Sequence, residues 1–130
     1  MAIVGERIRE ISGRKQKSEQ IKGLNMSISI DDVRVNDKNI EIDYAYAANY
    51  EEGVGNITIK GTILAVEDSV QAKKINEEWK KNKKLPEDYT TTILSAINYS
   101  GSANGTLIAR VLNLAAPLIP PRIELSKPSK

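Results

Sequence analysis

The chain has 130 residues, a length that suits one domain with a single core. Charged residues make up 28% of it and its formal net charge is only +2, so the charge balance gives no indication of nucleic-acid binding or membrane insertion. Cysteine and histidine are both absent, which excludes disulfides, thiol nucleophiles, histidine bases and zinc sites of the usual ligand types. Without an apolar run of about 18 residues or a signal peptide, the protein is expected to be soluble and cytoplasmic.

The first 22 residues have an ambiguous pattern. Val4, Ile8 and Ile11 recur at helical spacing, whereas the basic segment from Gly13 to Lys17 has no period. The pattern alone favours a helical turn or two.

Three strands follow. From Leu24 to Ile30 apolar residues alternate with polar or small ones, and at Asp31–Asp32 the alternation shifts, which predicts a β-bulge or bend. Residues 36–39 are typical of a hairpin turn, and Ile40–Ala48 is the clearest strand.

The third strand is predicted at Asn56–Val66, after a turn at residues 50–55. Gly61 is expected to mark a bend at which the apolar alternation changes phase. The three strands predict an antiparallel meander with one apolar face against a helix and one face toward water.

Residues 67–84 have the pattern of a short, Lys-rich amphipathic helix. Its lysines either bind an acidic partner or form a solvated helix face, and the interleaved Glu77 and Glu78 favour the second interpretation. Trp79 is expected in the core rather than on a ligand-binding surface. The predicted buried side consists of Val70, Ala72, Ile75 and Trp79.

A long helix is predicted from Pro86, with acidic residues in its first turn, to the prolines that begin at Pro117. An extended tail, Arg122–Leu125, is expected after it. Within this helix, Tyr99–Gly105 is composed like a loop. It lacks the Lys-Ser/Thr ending of a phosphate-binding loop, and we favour either a kink or a helix whose small residues let another backbone approach. The apolar stripe of the helix is predicted at Ile93, Ile97, Ile108, Val111 and Ala115, widened by Leu94, Leu107, Leu112 and Leu114.

Carboxylates are the main remaining catalytic material. Glu41 and Asp43 share one strand face, but no ligand spacing such as an EF-hand loop is present. We therefore expect no enzyme activity, no metal and no cofactor. Tyr44 and Tyr46 alternate in phase with Ile40 and Ile42, which fits either a packed sheet face or an apolar surface for a partner.

Five stretches carry a local similarity to one known family: Arg7–Ser12, Asn39–Ala48, Ile57–Val66, Ile108–Arg110 and Pro121–Leu125. They correspond to that family's first strand, its central hairpin, and its long helix running into a proline-led extended segment. On these residues the chain resembles the SecB-type export chaperones. It differs from them in having no Phe and a mildly basic charge balance.

The resemblance implies that residues 3–17 form a strand, against the pattern. It implies a single SecB-like domain over residues 1–130, of class α+β, with residues 121–130 as an extended C-terminal tail. The domain would have a four-stranded antiparallel sheet, with a long C-terminal helix and the short Lys-rich helix packed on one face. The family assembles as dimers of dimers and binds non-native polypeptides without nucleotide.

The leading hypothesis is a homo-oligomeric, ATP-independent holdase that binds apolar segments of non-native polypeptides. The groove is expected between one sheet face and residues 114–125, with β-augmentation at a strand edge. The alternative is a non-catalytic adaptor that binds one specific protein. A carboxylate hydrolase is third and requires Glu41 or Asp43 in a concave pocket. The predicted peptide-binding residues are Tyr44, Tyr46, Leu118 and Ile119.

Overall fold

The computed structural model describes residues 1–18, 23–117 and, as backbone, 124–126. A short 3-10 helix, Glu51–Gly53, connects the third and fourth strands. The strands and helices are β1 Ala2–Lys15, β2 Leu24–Asn36, β3 Asn39–Tyr50, β4 Gly55–Val66, α1 Ser69–Asn82, α2 Glu87–Leu112 and β5 Glu124–Ser126.

The fold is α+β, with a four-stranded antiparallel sheet and two helices. The strand order is β1-β4-β3-β2-β5, and β5 is the parallel addition at the end. The sequence predicted β5 only as an extended tail. We name the sheet face that carries Tyr44 and Tyr46, against α2, the helix face, and the face that carries Glu41 and Asp43 the open face.

The first segment is a strand, so the helical prediction from its pattern is wrong. In the pairing with β4, Val4 and Arg9 are extra residues between Ile3 and Gly5 and between Ile8 and Glu10. Each bulge shifts the alternation of side chains by one residue. The apolar residues of this strand therefore recur at spacings typical of a helix. The SecB resemblance implied a strand in this segment, and a strand is present.

The other strand boundaries follow the predicted pattern. The pairing of β2 with β3 shifts between Ile30 and Asp32, which confirms the bulge expected at Asp31–Asp32. The hairpin turn after Asn36 is also confirmed, with Asp37 in the left-handed region at φ 55°. Asp can adopt this conformation at lower cost than most residues with a side chain.

Gly61 does not mark a bend, contrary to the prediction. The pairing of β4 with β3 continues without a shift, so Ile59, Gly61 and Ile63 share the helix face. A Cβ at Gly61 would lie 2.7 Å from Tyr44 Oη and 2.8 Å from the Arg7 carbonyl oxygen. The glycine therefore provides space for the Tyr44 side chain.

Helix α2 is continuous through Tyr99–Gly105, with neither a loop nor a kink between two helices. A Cβ at Gly101 would overlap the ring of Tyr46. The small residue thus accommodates an aromatic ring rather than another backbone. The helix ends at Asn113, which is in the left-handed conformation, and the Leu114 N–H donates to the Ala109 carbonyl over 2.8 Å.

Helix α1 begins after Asp68, whose Oδ1 accepts a hydrogen bond of 2.9 Å from the Gln71 N–H. Its buried residues Ala72, Ile75 and Trp79 were all predicted. Val70 was predicted to be buried as well and is exposed, because it lies about 180° around the helix from Trp79. Among the described residues, no helix is both long enough and apolar enough to cross a membrane.

Gly101→Ala tests the contact between α2 and the sheet. We expect the free energy of unfolding to fall by about 1–3 kcal/mol, because the added methyl group forces Tyr46 or the helix to move. This loss should exceed the gain in helix propensity, which is about 1 kcal/mol. Equilibrium chemical denaturation measures the difference.

Ser95→Ala is the control, since it changes an exposed position of the same helix. It should alter the free energy of unfolding by less than about 0.5 kcal/mol. A Gly101→Ala protein that is as stable as the unmodified chain would contradict the close packing.

Candidate functional site

The two predicted peptide-binding tyrosines lie in the core. Tyr44 and Tyr46 are fully buried on the helix face, beneath α2. The Tyr46 hydroxyl donates to Met26 Sδ over 3.2 Å, and burial raises the pKa of Tyr46. Of the two interpretations left open by the sequence, these residues form the packed sheet face. Their predicted role in peptide binding stays a prediction, and it requires α2 to move away from the sheet.

Tyr44 is part of a hydrogen-bonded connection between three elements. Its hydroxyl donates to Glu6 Oε2 over 2.5 Å, and the Ser100 hydroxyl donates to Glu6 Oε1 over 2.6 Å. Burial, followed by the hydrogen bond to Glu6 and the carboxylate charge, raises the pKa of Tyr44. The Glu6 carboxylate thus joins β1 to β3 and to α2.

The other two predicted peptide-binding residues, Leu118 and Ile119, lie outside the described residues. The described chain before them is held against the core. The Tyr50 hydroxyl donates to the Ala115 carbonyl, and a Cβ at Gly105 would lie 2.9 Å from Pro117 Cγ. The chain therefore leaves α2 close to the end of β3.

The acids of the open face are bound to arginine. Arg34 donates to Asp43 through Nη1 over 2.6 Å and through Nη2 over 2.9 Å, and the Thr62 hydroxyl donates to the same carboxylate over 2.7 Å. Glu41 accepts from Arg34 over 3.3 Å and from Arg7 over 3.0 Å. The Arg34 hydrogen bonds lower the pKa of Asp43. This stabilises the carboxylate form, whereas a general acid needs a raised pKa.

No metal site accompanies this cluster in the part of the chain that the structure describes: no group of three or more acidic, histidine or cysteine side chains there could hold an ion. Glu41 lines a shallow depression together with Arg7 and Arg34. Both arginines bind the Glu41 carboxylate, and Arg34 also binds the Asp43 carboxylate. Glu41 and Asp43 therefore act as partners in an ion-pair network that connects β1, β2 and β3.

The outer edge of β2 carries the short strand β5. Ser27, Ile28 and Ser29 are opposite Glu124, Leu125 and Ser126, in parallel orientation. Only three of the thirteen residues of β2 are covered in this way by described residues. An extended segment from elsewhere in the chain is thus added to the sheet through backbone hydrogen bonds.

The outer edge of β1 is at the opposite end of the sheet. Among the described residues β1 pairs only with β4, and it exposes large apolar side chains, including Val4 at 63% and Ile11 at 51%. The sequence pattern missed this edge because the two bulges hid the strand alternation. The exposed apolar residues of β1 are Ile3, Val4, Ile8 and Ile11.

Helix α2 has a second exposed apolar surface, which we name the α2 stripe: Tyr99, Ala103, Leu107 and Val111. Tyr99 is 81% exposed and Val111 is 85% exposed. The predictions that Leu107 and Val111 belong to the buried side are wrong. The buried positions recur every four residues and include Gly101 and Gly105, so these large residues lie on the outer side of the helix.

Comparison of the chain with models of protein families, with curated proteins and with solved structures gave no match in any of the three. The arguments for a function therefore come from the residues and the geometry described above.

Asp43→Asn tests the ion-pair network of the open face. The folded-state pKa of Asp43 is lowered, so its contribution to stability is present at neutral pH and is lost as the pH falls below the ordinary value of 3.8. We expect the variant to be less stable by about 1–3 kcal/mol at pH 7. The difference should shrink in strongly acidic solution, as measured by urea denaturation across pH.

Glu77→Gln removes an exposed carboxylate from α1 and serves as the control. Its effect should stay below about 0.5 kcal/mol at every pH. An Asp43→Asn variant that loses the same stability at pH 7 and at acidic pH would show that the carboxylate charge is not responsible.

Proposed function

We propose that the protein is an ATP-independent holdase that binds apolar, extended segments of non-native polypeptides, without a cofactor, and that it acts as a homo-oligomer, either a dimer or a tetramer. The observation that carries this proposal is the pairing of β5 with the outer edge of β2. This edge already accepts a short extended segment, so it is suited to accept another.

The chemistry of the β2 edge fits an unfolded client. A strand edge presents N–H and C=O groups that have no partner within the sheet, and an unfolded polypeptide presents the same groups. Strand addition satisfies both sets and depends little on the client's sequence. Affinity for many unrelated polypeptides follows from this backbone pairing.

Exposed apolar surface supports the same proposal. The α2 stripe carries three large, strongly exposed apolar side chains: Tyr99, Leu107 and Val111. Large apolar patches on a protein surface commonly mark an interaction site. We expect these residues to contact either apolar side chains of a client or further copies of the chain.

The SecB resemblance adds support. It implies a strand near the N-terminus, a central hairpin and a long helix that leads into an extended segment, and we assign the protein to a SecB-like fold on this order of elements. In this assignment the chain is one cytoplasmic domain, and the Lys-rich α1 lies on the same sheet face as α2. The export function of the SecB-type chaperones is not part of this proposal.

Holdase activity is tested by the aggregation of two unrelated, chemically denatured proteins after dilution, without ATP. We expect the protein to suppress the light scattering of both. Suppression of neither client, combined with capture of a single protein from lysate, would instead support the adaptor alternative.

The β2 edge is tested by a chain that ends at Ile123, which lacks β5 but retains Leu118 and Ile119. A tethered segment competes with a client at a high effective concentration. We therefore expect this truncated chain to reach half-maximal suppression at a concentration lower by a factor of about three or more. A chain that ends at Ser126 keeps β5 and should behave like the full chain. Unchanged suppression by the shorter chain would remove the β2 edge as the client site.

Ile119→Asp tests the contact predicted at Ile119, which lies outside the described residues. A charge in an apolar contact should weaken client suppression by a factor of about ten. Tyr46→Asp cannot serve this purpose because Tyr46 is buried. Full activity of Ile119→Asp would exclude Ile119 from the client site.

A further inference from the structure

Helix α1 lies over β2, the strand whose outer edge carries β5. It packs mainly on β2, whereas α2 packs mainly on β4, β1 and β3. An α-helix is about 10 Å wide and neighbouring strands are about 4.8 Å apart. A helix that lies over β2 therefore also covers the place beside β2 that an added strand would occupy.

The start of α1 determines which part of the β2 edge it covers. The Ser69 hydroxyl donates to Asp37 Oδ1 over 2.9 Å, so α1 begins at the turn that follows β2. The fourteen residues of α1 give it a length of about 21 Å, which corresponds to about six residues of a strand. The helix thus lies over residues 30–36 of β2, next to residues 27–29, which pair with β5.

Beyond its first residue, α1 is held to the sheet by apolar contacts. Among the described residues, no hydrogen bond or ion pair joins α1 to the sheet after Ser69. Its buried side chains are Ala72, Ile75 and Trp79. Because an isolated helix of this length is only marginally stable in water, α1 depends on these contacts with β2. It is therefore an element that opens separately from the rest of the fold.

Two features destabilise the far end of the docked helix. Trp79 Nε1 is buried and has no hydrogen-bond acceptor among the described residues, and a buried donor without an acceptor costs free energy. Lys83, which follows α1, has a left-handed conformation with φ 54°, which is unfavourable for a residue that has a β-carbon. Its ammonium group lies 5.6 Å from the centre of the Trp79 ring, so both features are at the same end of α1.

We propose that α1 is a movable cover over the client-binding edge, and that an extended apolar segment of a client pairs with residues 30–36 of β2 and displaces the Trp79 end of α1. This inference rests on the holdase function proposed above and specifies which part of the β2 edge binds the client. When α1 moves, the Trp79 indole N–H gains water or a client carbonyl oxygen as its acceptor.

The cover explains which client segments bind. A strand beside β2 directs every second side chain toward the helix face, where α1 now lies. Apolar side chains there replace the contacts that Ile75 and Trp79 lose, whereas polar side chains do not. Backbone pairing alone is common to all extended segments, so the cost of moving α1 selects the apolar ones.

Ile75→Ala tests the cover, because it removes part of the contact between α1 and β2. A larger open fraction lowers the apparent dissociation constant of a client. We expect half-maximal suppression of aggregation at a concentration lower by a factor of about three or more. Ile93→Ala is the matched control, since Ile93 is also fully buried but belongs to α2. An unchanged or higher concentration for Ile75→Ala, or an equal decrease for Ile93→Ala, would overturn the proposal.

The single tryptophan of the chain gives a measurement without a client. All tryptophan emission comes from Trp79, so acrylamide quenching reports how often α1 opens. Ile75→Ala should raise the quenching constant by about twofold or more, and Ile93→Ala should not. Equal quenching of Ile75→Ala and the unmodified chain would show that α1 does not open, which contradicts the cover.

Hydrogen exchange of the unmodified chain locates the client. The probe is reduced and carboxamidomethylated ribonuclease A, which stays unfolded. On binding, amide exchange should slow in residues 30–36 and accelerate by about tenfold or more in residues 73–82. Residues 93–109 of α2 are the internal control and should not change. Exchange in residues 73–82 that stays the same or slows would overturn the proposal.

These measurements separate the two proposals. If none of the chains suppresses aggregation or binds the unfolded probe, the holdase function is contradicted, and with it the occupant named for the β2 edge. If the unmodified chain suppresses aggregation while exchange in α1 stays the same, the cover alone is contradicted.

Discussion

The contact of the Tyr46 ring with Gly101 determines which surfaces of the protein a partner can reach. Because residue 101 has no side chain, α2 lies directly on the aromatic residues of β3, and its buried positions recur every four residues along the helix. This packing closes the helix face of the sheet. A partner is therefore left with the sheet edges, the open face and the outer side of α2.

The two sheet edges differ, and the difference follows from what each strand has beside it. The β2 edge carries β5 over three residues, so the chain itself occupies part of it. The β1 edge has no strand beside it among the described residues, although Glu6 fixes β1 to Tyr44 and to Ser100 of α2. The open face is less available, because its acids and arginines already neutralise one another.

Sequence patterns predicted the parts of the fold in which local alternation and packing agree. The hairpins, the bulge near Asp31 and the buried side of α1 at Trp79 belong to this group. The pattern failed for β1 because its two bulges place the apolar residues at spacings typical of a helix. The pattern also failed at Gly61 and Gly101, which were interpreted from their neighbours in the sequence. Both glycines instead make space for tyrosines that are distant in sequence. The candidate site was harder, because the burial of Tyr44 and Tyr46 depends on where α2 docks.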